Sequence, residues 1–403
     1  MTQSTTPSSH SMENEPFGRQ LRPILLLTSI FFLNFIARIV LAPLMPDIVS
    51  RLQLSNVAAG SFFLLISIGY ISTLLASGFL SAYFTHKKTI LYATFALGFA
   101  LLIISMGQGI WSIRLGLILL GMAAGPYLPS GIATLTALTT SRHWGKAIAI
   151  HELAPNLAFI VAPLMVEAVL IEFSWRTVFA ILGLMTLILG GLFARYGKGG
   201  EFKGKKPNFT SVKALFSKPT FWVMVVLFSL GISGTLGIFT MLPLYLVSEL
   251  DFDRNWANTL IAISRVAGLG AVFLGGWATD RFGPKRILRI VFILSGTLTL
   301  LLGLASKSWI TVIIVLQPVV AACFFPAGLA ALSMSTAPKE RNIAVSFTVP
   351  LAFLFGGGAV PAMIGFAGDL SSFSGGIALV GGLILTGAVL TGYLTFYNQS
   401  DQQ

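Results

Sequence analysis

Charged side chains within long apolar segments are the residues of this sequence with the clearest chemical potential. Arg38, Arg265 and Glu152 lie in such segments, and His151 precedes the glutamate. A charge at bilayer depth is costly unless it is paired or faces a water-filled cavity, so these residues are functional candidates. A guanidinium stays charged and binds a carboxylate or sulfonate through two parallel hydrogen bonds. The two arginines predict a clamp for an organic anion; the alternative is a structural pair or side chains that extend towards the membrane surface.

A second candidate group lies in the stretch GKAIAIHELAPNLAF at residues 145–159. Glu152 and Asn156 are four positions apart and share one face of a helix. A buried carboxylate near arginines can change its proton affinity when substrate binds, as proton symport requires. Glu152 is the favoured proton carrier, and His151 is the second candidate because histidine as a residue type can exchange protons near neutral pH. The alternative is a Glu152 pair with His151 or an arginine that only joins helices.

Other polar side chains within apolar segments are candidates for hydrogen bonds to a substrate. Tyrosine and serine are weaker candidates than arginine, because in spanning helices they commonly bond a neighbouring backbone group. Tyr70, Tyr127, Tyr245, Asn258 and Ser264 belong to this weaker group. The predicted substrate-binding set is Arg38, Arg265, Asn34, Asn156, Tyr127 and Asn258.

The composition predicts that membrane-spanning helices position these residues. Of 403 residues, 55% are hydrophobic and 10% are charged, with a mean hydropathy of +0.86. Soluble domains carry about 25% charged residues. Apolar runs of about 20 residues, enough to cross roughly 30 Å of hydrocarbon, recur along the chain. Twelve such runs predict an all-α integral membrane protein with twelve transmembrane helices.

The net charge of +12 is distributed in short basic clusters between apolar runs, so it indicates membrane topology and not a nucleic-acid partner. The basic clusters lie in alternate loops, which predicts cytosolic N and C termini. The chain has one cysteine, Cys323, and no nucleotide-binding loop or cluster of metal ligands. No cofactor or metal is expected.

An internal duplication divides the sequence. Displaced by 197 residues, YLPSG at 127 falls on FFPAG at 324, and THKKTIL at 85 falls on FGPKRIL at 282. Two parallel repeats imply a central pathway between them. The predicted organisation is a disordered cytosolic tail at 1–22, six-helix bundles at 23–195 and 219–397, a basic cytosolic linker at 196–218, and a short tail at 398–403.

The stretch GGWATDRFGPKRILR at residues 275–289 contains a short motif of glycine, aspartate and basic residues between two apolar segments. On this motif, the twelve segments and the duplication, the chain resembles the major facilitator superfamily over almost its whole length. In that family the aspartate of this loop locks the cytosolic gate by pairing with a neighbouring helix end. The first-half copy has Tyr83 at the aspartate position and His86 at the second glycine position, so a different lock is expected there. The matching residues are Gly276, Asp280, Arg281, Gly283, Lys285 and Arg286.

The first apolar segment resembles helix one of the anion:cation symporter, or organic anion, branch of that superfamily. In FFLNFIARIVLAPLMPDI, at residues 31–48, Asn34 and Arg38 match the branch pattern. The resemblance implies that Arg38 contacts an anionic substrate. Phe35 replaces the tyrosine of the pattern and Ala37 its aspartate, so the proton role of that aspartate is lost.

The sequence therefore predicts a secondary active transporter, and not an enzyme, that moves a small organic anion by alternating access. Proton symport across a bacterial-type cell inner membrane is expected, with the anion, protons and membrane lipid as partners and a monomer as the assembly. One alternative is a proton-driven exporter of drugs or metabolites, although ELAPNLAFIVAPLM at 152–165 lacks the glycines of family exporters. The other is a non-transporting membrane sensor.

Overall fold

The computed structural model describes residues 17–204, 209–337 and 340–397. The predicted tail at 398–403, most of the tail at 1–22 and part of the linker lie outside these ranges. The described residues form helices and loops and contain no β-strand. Among them, twelve helices are long and apolar enough to cross a membrane, which confirms the predicted fold class.

The first six spanning helices are α1 (Gln20–Leu52), α2 (Asn56–Tyr83), α3 (His86–Met106), α4 (Ile110–Leu138), α5 (Trp144–Leu170) and α6 (Trp175–Tyr196). The second six are α7 (Pro219–Ser248), α8 (Arg254–Phe282), α9 (Pro284–Leu304), α10 (Lys307–Met334), α11 (Ile343–Leu370) and α12 (Phe373–Tyr393). A short helix, Phe209–Phe216, precedes α7.

Short loops at residues 53–55, 107–109, 171–174, 249–253, 305–306 and 371–372 lie at one end of the bundle, called here the far end. The linker between α6 and α7 lies at the opposite end, the linker end. Side-chain caps define helix starts at the far end. Ser55 accepts a hydrogen bond from Ala58 N at 3.2 Å, and Asp253 accepts one from Trp256 N at 3.0 Å.

Several spanning helices are interrupted at depth. In α1 the break falls at Val40, next to Ile39, which lies four residues before Pro43 and whose carbonyl the proline ring would crowd. Helices α7 and α11 contain π-helical turns at Ser233–Gly237 and Phe353–Ala359. Such a turn shifts the hydrogen bonds by one residue and releases carbonyl oxygens for side-chain donors. The interruptions therefore create polar backbone sites inside the bundle.

The linker packs against the loop between α2 and α3. The backbone N–H groups of His86 and Lys87, at the start of α3, donate to Phe202 O at 3.1 Å and Gly200 O at 2.8 Å. Lys87 Nζ also lies 3.0 Å from Glu201 Oε1. The linker backbone therefore satisfies two of the donors that a helix start leaves unpaired.

Candidate functional site

Arg38 lies on α1 at the interface between the first six and the second six helices. Its guanidinium carbon is 4.3 Å from the ring centre of Tyr70 on α2 and 4.9 Å from that of Phe35. Its Nε makes one long hydrogen bond, 3.4 Å, to Asn34 O. No carboxylate among the described residues forms an ion pair with Arg38.

Arg265 lies on α8 and reaches the π-helical turn of α7. Its Nη2 donates to Thr235 O at 3.0 Å, while its buried Nε has no hydrogen-bond partner among the described residues. The guanidinium carbon is 4.5 Å from the ring centre of Phe159 on α5 and 4.9 Å from that of Phe239 on α7. Aromatic rings thus occupy the faces of this cation, and its edge retains an unused donor.

Ring contacts connect the two arginines. Phe35 and Phe159 meet edge to face at 5.2 Å, and Phe159 and Phe239 do so at 4.7 Å. The aromatic cluster therefore spans both sets of six helices, with one guanidinium against each end of it.

Arg38 also lines a cavity at the interface of the two sets of helices. The cavity is small, with a volume of about 30 Å³. Its wall is mainly apolar. The other lining groups include Phe63, Tyr70, Leu236 and Phe353, with Ser67 and Thr240 as polar members.

The predicted amide ligands are committed to other contacts. Asn34 Nδ2 donates to Ala124 O on α4 at 3.0 Å, although its buried Oδ1 has no described partner. Asn156 Nδ2 donates to the backbone oxygen of Glu152 at 2.9 Å. Asn258 lies nearer the far end, away from the cavity lining. The substrate-binding roles of Asn34, Asn156 and Asn258 stay predictions.

The hydroxyl candidates differ in whether they line the cavity or bind a backbone oxygen elsewhere. Tyr70 lines the cavity, whereas Tyr127 OH donates to Leu27 O at 2.7 Å and Tyr245 OH donates to Leu302 O at 3.0 Å. Ser264 Oγ donates to Ile261 O within its own helix at 2.7 Å. Of these four, the structure brings only Tyr70 to Arg38.

The proton-carrier candidates lie towards the linker end of α5. His151 is fully buried and stacks on Phe31 of α1, with ring centres 4.4 Å apart. Its Nε2 is 3.1 Å from Tyr127 OH, and its Nδ1 is 3.4 Å from Glu152 Oε1. The Glu152 side chain is 48% exposed. It lies two turns before Phe159 on the same helix face, which extends from the aromatic cluster towards the linker end.

Charged side chains join the two sets of helices at the far end. Arg254 of α8 binds both carboxylate oxygens of Glu167 of α5, with its Nε 3.1 Å from Oε1 and its Nη2 3.2 Å from Oε2. Asn258 Nδ2 donates to the same Oε1 at 2.6 Å and to Pro43 O at 3.2 Å. Asp47 of α1 lies 3.8 Å from Arg254 Nη1.

A second far-end contact links α2 and α11. The carboxylate of Asp369 accepts hydrogen bonds from the backbone N–H groups of Asn56 and Val57 at 2.8 and 2.9 Å. It therefore caps the start of α2 from the other set of helices. The backbones approach closely here, because a Cβ added at Gly60 would lie 2.4 Å from Pro361 O. Small residues permit this packing.

At the linker end, no hydrogen bond or ion pair is found between the two sets of six helices among the described residues. Asp280 is exposed and has no described hydrogen-bond or ion-pair partner. Lys285 Nζ donates to the carbonyl oxygens of Gly392 and Leu394 at the end of α12, each at 3.0 Å. Gly283 adopts a φ of +82°, which favours glycine at this turn. The gating roles of Asp280 and of Gly276, Arg281 and Arg286 stay predictions.

Sequence reasoning missed two groups of residues at these sites. The aromatic rings around the arginines carry no distinctive signal, because the chain contains 32 phenylalanines. The far-end residues Glu167, Arg254 and Asp369 are charges at helix ends, where charge is common. Their pairing depends on which helices meet, and spacing along one chain does not specify this.

Twelve spanning helices, several of them interrupted at depth, surround a cavity between two sets of six, an arrangement suited to moving a solute across a membrane. Family models of the Major Facilitator Superfamily match residues 27–277 and 255–402. The chain belongs to this superfamily and is a multi-pass membrane transporter, and not an enzyme.

Comparisons with individual proteins agree with this assignment. The chain is 24% identical to the 3-(3-hydroxy-phenyl)propionate transporter of Escherichia coli over 60% of each chain. It is 22% identical to the 4-hydroxybenzoate transporter PcaK of Pseudomonas putida over 77% of this chain and 78% of that one. A bacterial homologue of the human lysosomal transporter Spinster, solved in an inward-facing and occupied conformation, superposes with a TM-score of 0.82 at 14% identity. That match covers 96% of this chain and 100% of the other.

Proposed function

We propose that the protein carries a small organic anion together with protons across the cell inner membrane, and that the anion binds between Arg38 and Arg265. The observation that carries this proposal is the pairing state of the two guanidiniums. Both lie within the bundle, and neither has a carboxylate partner among the described residues.

The electrostatic argument follows from burial. A cation in a low-dielectric interior loses hydration, and an opposite charge with good hydrogen-bond geometry offsets part of that loss. The unused Nε donor of Arg265 and the weakly bonded edge of Arg38 are suited to carboxylate or sulfonate oxygens. A bound anion would supply the counter-charge that the described protein residues lack.

The lining favours an anion with an aromatic or otherwise apolar body. The cavity offers few hydrogen-bonding groups besides Arg38, Tyr70, Ser67 and Thr240, so a polyhydroxylated acid would lose hydration without compensation. Aromatic rings provide large contact area with defined geometry. The names of the two relatives, transporters for 3-(3-hydroxy-phenyl)propionate and 4-hydroxybenzoate, support this choice of substrate class.

Proton coupling is assigned to Glu152, with His151 beside it. Glu152 is half-exposed on the α5 face that leads to Phe159 and the guanidinium of Arg265. Seven residues separate Glu152 from Phe159, about 10 Å along the helix, so an anion at the arginines can influence the carboxylate electrostatically. This arrangement meets the physical requirement for linked binding of an anion and a proton.

Alternating access is assigned to movement of the two six-helix halves. The described hydrogen bonds and ion pairs between halves lie at the far end, so this end is closed in the structure. With the basic linker in the cytosol, the structure corresponds to an inward-facing state. Transport requires the Arg254–Glu167 and Asp369–α2 contacts to break when the halves rock.

The test is uptake into proteoliposomes containing the purified protein, with and without an inward proton gradient. The substrates are matched pairs that differ in charge or in body: benzoate against benzamide, and 4-hydroxybenzoate against a sugar acid. Concentrative uptake of the aromatic acids, dependent on the gradient, is expected. Uptake of benzamide equal to that of benzoate would contradict the anion site, and gradient-driven efflux of the same compounds would favour an exporter.

A further inference from the structure

The hydrogen bonds around His151 constrain where its protons lie. The ring contacts Tyr127 OH through Nε2 at 3.1 Å and Glu152 Oε1 through Nδ1 at 3.4 Å. Stacking on Phe31 with an interplanar angle of 8° fixes the plane of the ring. Both nitrogens are therefore committed, each to one oxygen.

Tyr127 determines the role of Nε2. A phenol has one hydrogen to donate, and Tyr127 OH directs it to Leu27 O at 2.7 Å. The oxygen of Tyr127 is left as an acceptor towards the histidine. His151 Nε2 must then carry a hydrogen, because two acceptors at this distance would repel.

The role of Nδ1 follows from that of Nε2. A neutral imidazole protonated on Nε2 has a lone pair on Nδ1. An ionised Glu152 also presents only lone pairs, so the contact between them is favourable when one proton lies between them. Either His151 is cationic and Glu152 anionic, or Glu152 is protonated and donates to a neutral ring.

We infer that His151 and Glu152 bind one exchangeable proton as a unit, and that Tyr127 is the positioning residue that fixes the histidine tautomer. The inference rests on the proposed function for its role in transport. His151 is fully buried whereas Glu152 is 48% exposed, so the proton enters and leaves through the carboxylate.

The neighbouring charged groups do not replace this partnership. Arg38 on α1 lies beyond Phe35, Arg265 on α8 contacts Phe159, and Arg254 on α8 binds Glu167. Among the described residues, Tyr127 on α4 is the one titratable group of another helix that forms a hydrogen bond with the pair. Phe31 connects the ring of His151 to Phe35, at 6.3 Å between ring centres, and Phe35 contacts Arg38.

The first test reads the tautomer directly and needs no substrate. Nitrogen NMR of the full-length protein labelled with ¹⁵N-histidine distinguishes the two ring nitrogens, and the His151 signals are those lost in His151→Gln. The expected result is a protonated Nε2 at every pH, with Nδ1 losing its proton as the pH rises. A neutral ring protonated on Nδ1 in the wild-type protein would overturn the inference.

The second test uses Tyr127→Phe, which removes the acceptor for Nε2. The neutral ring can then carry its hydrogen on Nδ1 and donate it to the carboxylate, which stabilises the deprotonated pair. The pH above which benzoate counterflow declines should fall by about one unit, since a hydrogen bond to a charged group is worth that much. Tyr92→Phe, at a half-exposed tyrosine of α3, is the matched control and should leave the profile unchanged.

The outcomes separate the inference from the proposed function. A uniform loss of rate in Tyr127→Phe without a shift of the pH profile, or a shift to higher pH, would show a merely structural tyrosine and overturn the inference. If the wild-type protein transports no anion, the proposed function fails, and the NMR measurement still decides the tautomer.

Discussion

The proposal of proton coupling rests on Glu152. Substitution of Glu152 by glutamine removes the charge with little change of size. Glu152→Gln should abolish the dependence of uptake on a proton gradient and spare counterflow, because the amide imitates a permanently protonated acid. The measurement compares both assays in the same proteoliposomes. Glu172→Gln, at an exposed loop position of the far end, is the control. Unchanged gradient dependence in Glu152→Gln would exclude this residue as the carrier.

Single residues differ in how much their sequence context reveals. Arg38 and Arg265 are recognisable because charge within an apolar segment needs a reason. The sequence does not show which of Glu152 and His151 is buried. Adjacent positions on a helix point about 100° apart, and the packing of α1 and α4 decides which side chain is covered. Asn258 illustrates the same limit, since its donor contacts lie on α1 and α5.

Among the connecting elements, the linker makes contacts that suit the altered first-half loop. Where the family motif would place an aspartate and a glycine, Tyr83 is 75% exposed and His86 is buried against Phe202 of the linker. The carbonyls of Gly200 and Phe202 receive the N–H groups that begin α3. The linker backbone therefore anchors this helix start.

Gly200 provides the test of that anchoring. It has a φ of +75°, and a Cβ there would lie 2.5 Å from Thr134 Oγ1. Gly200→Ala should lower the stability of the protein by roughly 1–2 kcal/mol from backbone strain alone, seen as a lower Tm in detergent. Gly191→Ala is the matched control, because no atom lies within 4 Å of its added Cβ and alanine favours a helix. Equal Tm values for the two variants would contradict the anchoring role.

Helix number and approximate extent are predictable because lipid requires long, internally bonded apolar segments. The interruptions in the helices are harder to predict from the sequence. Pro43 signals the break in α1, whereas the π-helical turn at Ser233–Gly237 depends on Gln317 and Arg265 binding the carbonyls of Gly234 and Thr235. Those donors come from α10 and α8, so the turn reflects tertiary packing more than local sequence.

The far-end contacts stabilise the state in which the far end of the bundle is closed. Arg254→Gln leaves Glu167, which is 6% exposed, without its cation. The glutamate keeps its hydrogen bond from Asn258, and losing the part-exposed cation costs about 1–3 kcal/mol, which shifts molecules out of the far-end-closed state.

Spin labels at Ser50→Cys and Ser371→Cys in a Cys323→Ala background measure this change. These exposed positions lie at the far end of opposite halves. Arg254→Gln should increase the long-distance population in pulsed electron paramagnetic resonance. Arg51→Gln, which breaks an exposed pair with Asp47 within one helix, should have little effect. Identical distance distributions for Arg254→Gln and the parent would contradict the role of the Arg254–Glu167 ion pair in closing the far end.

The central claim, an anion held between Arg38 and Arg265, is tested most directly by benzoate counterflow in Arg38→Gln and Arg265→Gln. Arg114→Gln is the control, because Arg114 stacks on Trp111 and does not line the cavity. Each site variant should lose at least tenfold in kcat/KM, the result of about 1.4 kcal/mol of lost binding, with normal folding and insertion. Wild-type rates in both site variants would contradict the account.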